Sequence, residues 1–175
     1  MRNEVTIFTD VINIVNQGLT SLNFQGWTVK QGGQPIIDHL TRPTILVDLI
    51  SAPRYGWQHR ENQVNDNIVH HEYLYQDLIF QLTAFKRRTD YANEVSSIDV
   101  ISGLAMWLNS QDGISYIKNK GYGILKIREI RTGFFVNEEE SYERCPSLDF
   151  CLNFRQELTT NAQEVAAIDG EVRGV

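Results

Sequence analysis

Hydrophobic positions change period several times along this chain, and the changes mark its elements. Val5, Phe8, Val11, Ile12, Val15 and Leu19 recur at helical spacing among polar residues. Two apolar residues, Ile7 and Ile14, fall off that stripe. The spacing predicts an amphipathic helix over 3–19, stopped near Gly18. Residues 24–30 read as a short strand, ended by Gly32-Gly33-Gln34-Pro35. Residues 44–50, TILVDLI, are almost wholly apolar and predict a strand central in a sheet. Residues 71–86 are written with a period of two. From Leu78 the even positions Leu78, Phe80, Leu82 and Ala84 are continuously apolar, while the odd positions are mixed. This long strand, free of Gly and Pro, needs a partner on each side and a layer over its apolar face.

Between these two strands lies PRYGWQHRENQVNDNIVH, with almost no aliphatic pattern. A polar connection of this length joining two strands predicts a long β-hairpin with a projecting tip. Beyond Arg87-Arg88-Thr89-Asp90, Ile98, Ile101, Leu104, Ala105 and Leu108 share a helical face. Ser96 or Ser97 caps that helix, and Asp99 suits its first turn. Residues 112–119 form a second short helix, with Ile114 and Ile117 inward and Gly121 as its stop. Residues 124–136 read as a strand with a bulge or bend at Gly133. Residues 148–158 alternate, placing Leu148, Phe150, Leu152 and Phe154 inward and Asp149, Asn153, Arg155 and Glu157 outward. Glu138, Glu139, Glu140 and Glu143 between these strands give an acidic turn, hence an antiparallel hairpin. In 159–175 the apolar residues Val165, Ile168 and Val172 are too sparse for a core element.

The pattern therefore predicts an α+β fold. A mostly antiparallel sheet with a long projecting hairpin is backed by an N-terminal helix and a central helix pair. Residues 1–158 form one domain and 159–175 a C-terminal arm. At 175 residues the chain can bury a core without staples. The net charge of −6 opposes nonspecific binding to nucleic-acid backbone. MRNEVTIFTD has no apolar run of the signal-peptide kind, and no segment reaches the length of a membrane span, so the expectation is a soluble protein made in the cytoplasm.

Candidate chemistry is sparse. Cys145, expected in a loop, and Cys151, expected in a strand, have no metal spacing and read as two free thiols. His70-His71-Glu72 suggests a metal site, but adjacent strand residues point to opposite faces, so the pair cannot share one ion without distortion. Asp48 and Asp77 fall inside apolar strands. They either face each other or, the better reading, each pairs with an arginine such as Arg128 or Arg155. No phosphate-binding loop, catalytic motif or metal signature is present, so no enzyme, cofactor or metal is expected. Arg54, Tyr55, Trp57, His59 and Arg60 fit either single-stranded nucleic acid or a protein interface. Glu61, Asp66 and the acidic total favour the interface.

RPTILVDLISAPRYGW, YLYQDLIFQLTAFKRRTDYA, ISGLAMWLNSQDG, KGYGILKIREIR and SLDFCLNFRQEL follow one another in an order that resembles the neck and tail terminator proteins of tailed bacteriophages, over roughly residues 4–172. The resemblance implies a non-enzymatic virion protein at the head–tail junction, assembled in the host cytoplasm. Its subunits would form a ring, commonly of six, that caps the tail tube and joins it to the neck, connector or head-completion protein. DNA would pass through the lumen without sequence-specific binding. The expected contacts are Arg54, Tyr55, Trp57, Arg60, His71, Tyr73 and Tyr75 around the hairpin tip, and Val165, Ile168 and Val172 in the arm. Alternatives are another head-completion, connector or tube-like virion protein, a single-stranded nucleic-acid module, or a metal enzyme at His70 or His71.

Overall fold

Helix α1, Glu4–Ser21, starts where the Asn3 side chain accepts the Thr6 N–H at 2.8 Å, capping a free amide of its first turn. Its buried stripe is Ile7, Phe8, Val11, Ile14, Val15, Gly18 and Leu19. Val5, expected on that stripe, is 74% exposed, whereas the two apparent exceptions are core residues. The 7–11–14–18 and 8–11–15–19 spacings together define the true face. Gly18 does not stop the helix. A Cβ there would come within 2.8 Å of Leu104 and 2.9 Å of the Trp107 ring, so glycine permits the close helix crossing.

These are observations on a computed structural model, which describes residues 3–33, 43–64, 68–86, 95–136 and 142–161. The remaining elements are β1 (Thr28–Gln31), β2 (Thr44–Ser51), β3 (Arg54–Val64), β4 (Ile68–Phe85), α2 (Ser97–Leu108), α3 (Gln111–Asn119), β5 (Gly123–Val136) and β6 (Tyr142–Asn161). Ser96 and Asp99 form a reciprocal capping box at α2. Gly121, at φ +80°, ends α3 in the left-handed conformation that glycine adopts without strain. The expected strand over 24–30 is shorter, because Phe24 to Trp27 form a turn.

One sheet runs β1-β2-β4-β6-β5, with β3 also paired to β4. All pairs are antiparallel except β1 with β2. The fold is α+β with a mostly antiparallel sheet, as the sequence pattern predicts. The helices cover one face, where Leu78, Phe80, Leu82, Leu148, Phe150, Leu152 and Phe154 are buried against α1 and α2 residues. Phe80 sits at the centre, edge-on to Phe8 at 5.7 Å and stacked with Phe150 at 5.8 Å. Each such ring contributes about 1.5–3 kcal/mol through burial. Tyr122 joins this core and donates to Asp10 of α1 at 3.0 Å, fixing the start of β5.

Three expectations for the sheet change. Within 52–70, residues 54–64 form β3 and residues 68–70 begin β4, so the strand paired with the first half of β4 is β3 rather than β2. β2 pairs with the C-terminal half of β4, Ile79 to Phe85, and β3 with the N-terminal half, Ile68 to Gln76. Gly133 is in regular register with Cys145. The irregularities of β5 lie between Ile124 and Lys126 and between Ile127 and Ile130. β6 begins at Tyr142, which places Cys145 in a strand. Pro146 is tolerated there because β4 pairs with β6 only from Ser147 onward, leaving one side free. The acidic residues 138–140 lie outside the described residues.

The carboxylates of the helix-free face also differ from expectation. Asp48 stands opposite Gln81, and Asp77 opposite Asn153, so the two acids do not meet. Asp77 accepts from the Asn153 amide at 2.7 Å rather than from an arginine. The arginine partner belongs to Asp149, which is 4% exposed and accepts from Arg131 and, at 3.0 Å, from Gln81. Three strands are thus cross-tied by a charge-assisted network.

Candidate interface on the helix-free end of the sheet

β4 has 18 residues and β6 has 20. At about 3.3 Å per residue each runs roughly 60 Å. The core occupies only part of this length. Among the described side chains of β4, buried residues begin at Asp77, whereas Tyr75 is 55% exposed. Beyond that point β3, the first half of β4 and the last part of β6 form a three-stranded extension. Its register rows run from Arg54–Gln76–Phe154 to Gln63–Val69–Asn161.

Rows of this extension place specific side chains together. Tyr55, Tyr75 and Arg155 share one row, with Tyr55 52% exposed. Directly paired residues lie on the same face, so these three line the face opposite the helices. Tyr73, two positions along, lies on that face too. The Arg155 guanidinium sits 4.5 Å from the Tyr73 ring centre, a cation–π contact. The His71 ring stacks parallel to Tyr73 at 6.2 Å, and its Nδ1 is 3.1 Å from Glu157 Oε1. Both groups of that pair are partly solvated, so it orders the surface more than it stabilises it.

Of the sequence-expected contact residues, Tyr55, Tyr73, Tyr75 and His71 come together on this face. Arg54 neighbours Tyr55 on the strand and therefore takes the opposite, helix-side face; it is exposed. Arg54 and Tyr55 are at the base of the hairpin, opposite Gln76 and Tyr75, not at its tip. The pairing of β3 with β4 runs on to Val64 opposite Ile68, so a placement of all these residues at the tip is corrected by the pairing itself. Trp57 lies in an irregularity where Gly56, Trp57 and Gln58 stand opposite Leu74, and Arg60 pairs with Glu72. The side chains of Trp57 and Arg60 are outside the described residues, as are Val165, Ile168 and Val172 entirely. Arg155 and Glu157 are members of the patch that the sequence pattern placed outward without linking them to the tyrosines.

The arrangement offers an exposed aromatic and charged surface. Among the described residues no group of three or more His, Cys, Asp or Glu side chains could hold a metal ion. Burial pushes the Cys145 thiol up, and burial together with the nearby Asp77 carboxylate pushes Cys151 up; both are free. No helix of the described residues is long and apolar enough to cross a membrane.

No curated protein matches the chain. Among solved structures it is similar to the PVC sheath/tube terminator in the extended state, from a cryo-EM structure of an extracellular contractile injection system. Identity is 14% and the TM-score 0.49, over 100% of this chain and 65% of that one, so the chain spans less than two thirds of that protein's length. Residues 6–164 match the family model described as E217 gateway protein gp29. The chain belongs to the E217 gateway protein gp29 family.

Proposed function

We propose that this protein is a structural component of a phage particle at the junction of head and tail, where it assembles as a ring that closes the tail tube. The match of residues 6–164 to the gateway family carries this reading. A gateway position requires one face toward the tube and another toward the neck or connector. In the proposed mechanism the ring docks on the last tube layer and offers no surface for a further layer. Its other face receives the head-side partner. DNA passes through the lumen, and the net charge of −6 disfavours a grip on phosphate. No chemical step is part of this role.

Contacts are assigned to Arg54, Tyr55, Trp57, Arg60, His71, Tyr73 and Tyr75 on the β3–β4 hairpin. Of the expected arm 159–175, residues 159–161 belong to β6; the arm's role falls to 162–175, with Val165, Ile168 and Val172 as its apolar anchors. Solvent-exposed tyrosines beside an arginine are the residue types that dominate protein interfaces.

Native mass spectrometry of the purified protein, alone and with its tail-tube protein, tests the ring. A closed oligomer, six being the expected number, supports it; a monomer under both conditions refutes it. In a phage complementation assay, the double charge reversal Arg54→Glu and Arg60→Glu is expected to reduce joined particles at least tenfold. Wild-type yield would remove these two arginines from the interface. Binding of single-stranded oligonucleotide that weakens steeply with salt would instead favour a nucleic-acid module.

A further inference from the structure

Two backbone edges of the extension are open among the described residues. β5 begins at Gly123, opposite Asn153, so residues 154–161 of β6 have β4 on one side and no described strand on the other. On the far side of the same extension, β3 pairs with β4 alone. The two edges span the same register rows, from Arg54–Gln76–Phe154 to Gln63–Val69–Asn161. An open edge presents unpaired N–H and C=O groups at every second residue and is a template for another strand.

Natural sheets guard edges that must stay single. The β5 edge is guarded in this way: it carries Lys126, Arg128, Glu129 and Arg131, and its register is broken twice. The β6 edge is less guarded: its pairing with β4 runs without a break from Asn161 to Ser147, residues 154–161 contain no proline, and their two charges, Arg155 and Glu157, are engaged by Tyr73 and His71 of β4. β3 is in unbroken register from His59 to Val64, and its one shift lies between Tyr55 and His59.

Resting on the ring reading above, we infer that the free edge of β6, residues 154–161, receives the β3 edge of a second copy of this chain. Direction supports the match. β3 runs antiparallel to β4 and β4 antiparallel to β6, so β3 and β6 run the same way. A copy related by rotation about an axis along these strands brings its β3 parallel to the first copy's β6. Such a contact joins unlike surfaces and, repeated, closes a ring. It also continues the aromatic row: Arg155, which follows Tyr55 and Tyr75, meets the next copy's Tyr55. A two-fold contact would instead pair β6 with β6 antiparallel and leave both β3 edges open.

Tyr55 and Arg155 make the seam testable by disulfide trapping. Within one chain β4 separates them, so their Cα atoms are two strand spacings apart, about 10 Å. A disulfide requires about 7 Å or less, so a bond between these positions has to be intermolecular. With Cys145 and Cys151 replaced by serine, the Tyr55→Cys, Arg155→Cys double variant is oxidised and run on non-reducing gels. Both positions are exposed, and circular dichroism checks that the fold is kept. The expected result is a ladder of covalent multimers ending at the ring mass, absent from either single variant. Dimers from Arg155→Cys alone would overturn the inference in favour of the two-fold contact. Rings seen by native mass spectrometry without cross-links would overturn the seam and leave the ring standing. Monomers throughout would overturn both. Truncation after Asn161 is expected to leave the ladder intact; its loss would assign the edge to the C-terminal segment instead.

Discussion

Gly113 is the most informative single position for the packing of this fold. It lies in the first turn of α3, where that helix meets the end of α2. The Trp107 carbonyl accepts from Ser110 N at 2.9 Å and Ser110 Oγ at 2.6 Å, and Ser110 Oγ accepts the Gly113 N–H at 3.1 Å. A Cβ on residue 113 would overlap that carbonyl oxygen. Backbone cannot rotate away as a side chain can, so Gly113→Ala has to open the corner. Overpacking of this kind costs about 1–3 kcal/mol, and weakening two hydrogen bonds adds about 1–2 kcal/mol. Alanine returns at most about 1 kcal/mol through helix propensity. The net expectation is a loss of about 2–3 kcal/mol. Gly103, in the middle of α2, is the control. Its Cβ would meet only side-chain atoms, the edge of the Phe24 ring at 2.7 Å and Leu22 Cδ1 at 3.3 Å, and both residues are half-buried and can shift. Gly103→Ala is therefore expected to be neutral or to gain up to about 1 kcal/mol. At about 2–4 °C per kcal/mol for a chain of this size, the two variants should differ in Tm by roughly 5–15 °C. Circular dichroism melts at one protein concentration, with urea titrations beside them, measure this. Equal stability of the two variants would refute the reasoning, since only the identity of the blocking atoms separates them.

Arg131→Ala leaves the buried Asp149 carboxylate with Gln81 as its remaining described partner; urea unfolding should show a loss of about 1–3 kcal/mol, and Asp149→Asn in the same background should recover part of it. Both cysteine thiols are raised above their ordinary value, so their thiolate fractions at pH 8 are small. Iodoacetamide should modify each more slowly than a free cysteine, with rates rising through higher pH; Asp77→Asn should accelerate Cys151 by removing a repelling charge, and an unchanged rate would rule out that charge as a cause. Ser96→Ala removes the capping box of α2 and should cost about 1 kcal/mol in the same melts.

What the sequence reveals depends on how local the cause is. The core face of β4 is legible because alternation from Leu78 to Ala84 is a property of one strand. The caps at Ser96 and the stop at Gly121 are equally local. β3 is not legible, since residues 54–64 have no apolar alternation; they form a strand because the long edge of β4 offers them backbone partners. The outward set of β6, Arg155 and Glu157 included, follows from alternation. Its meeting with Tyr73 and Tyr75 does not, because alternation fixes the face of a strand but not its register against another. β4 and β6 are too far apart in the chain for a turn to set that register. The role of Gly18 is not legible for a similar reason, as it depends on Leu104 and Trp107 of another helix.

The lengths of β4 and β6 bear on function without reference to any relative. Ordinary strands have about 5–6 residues, and the core needs little more: Leu78 to Ala84 on β4 and Leu148 to Phe154 on β6 supply the buried side chains. The rest of both strands runs on where the only described cover is β3. A small sheet without a packed face is marginal in water, because backbone pairing alone gives little net stability once water is the competitor. Tyr55 and Tyr75 remain more than half exposed there, so the extension does not complete its own burial. A partner strand on the β6 edge would supply both missing contributions, pairing the open backbone groups and covering part of the tyrosine row. On this reasoning the extension should be the first part of the free protein to exchange its amide hydrogens, and the part most protected on assembly. Amide exchange by mass spectrometry, resolved over 54–64 and 154–161, compares free and assembled protein. Equal exchange of these segments in both states would separate the extension from assembly altogether.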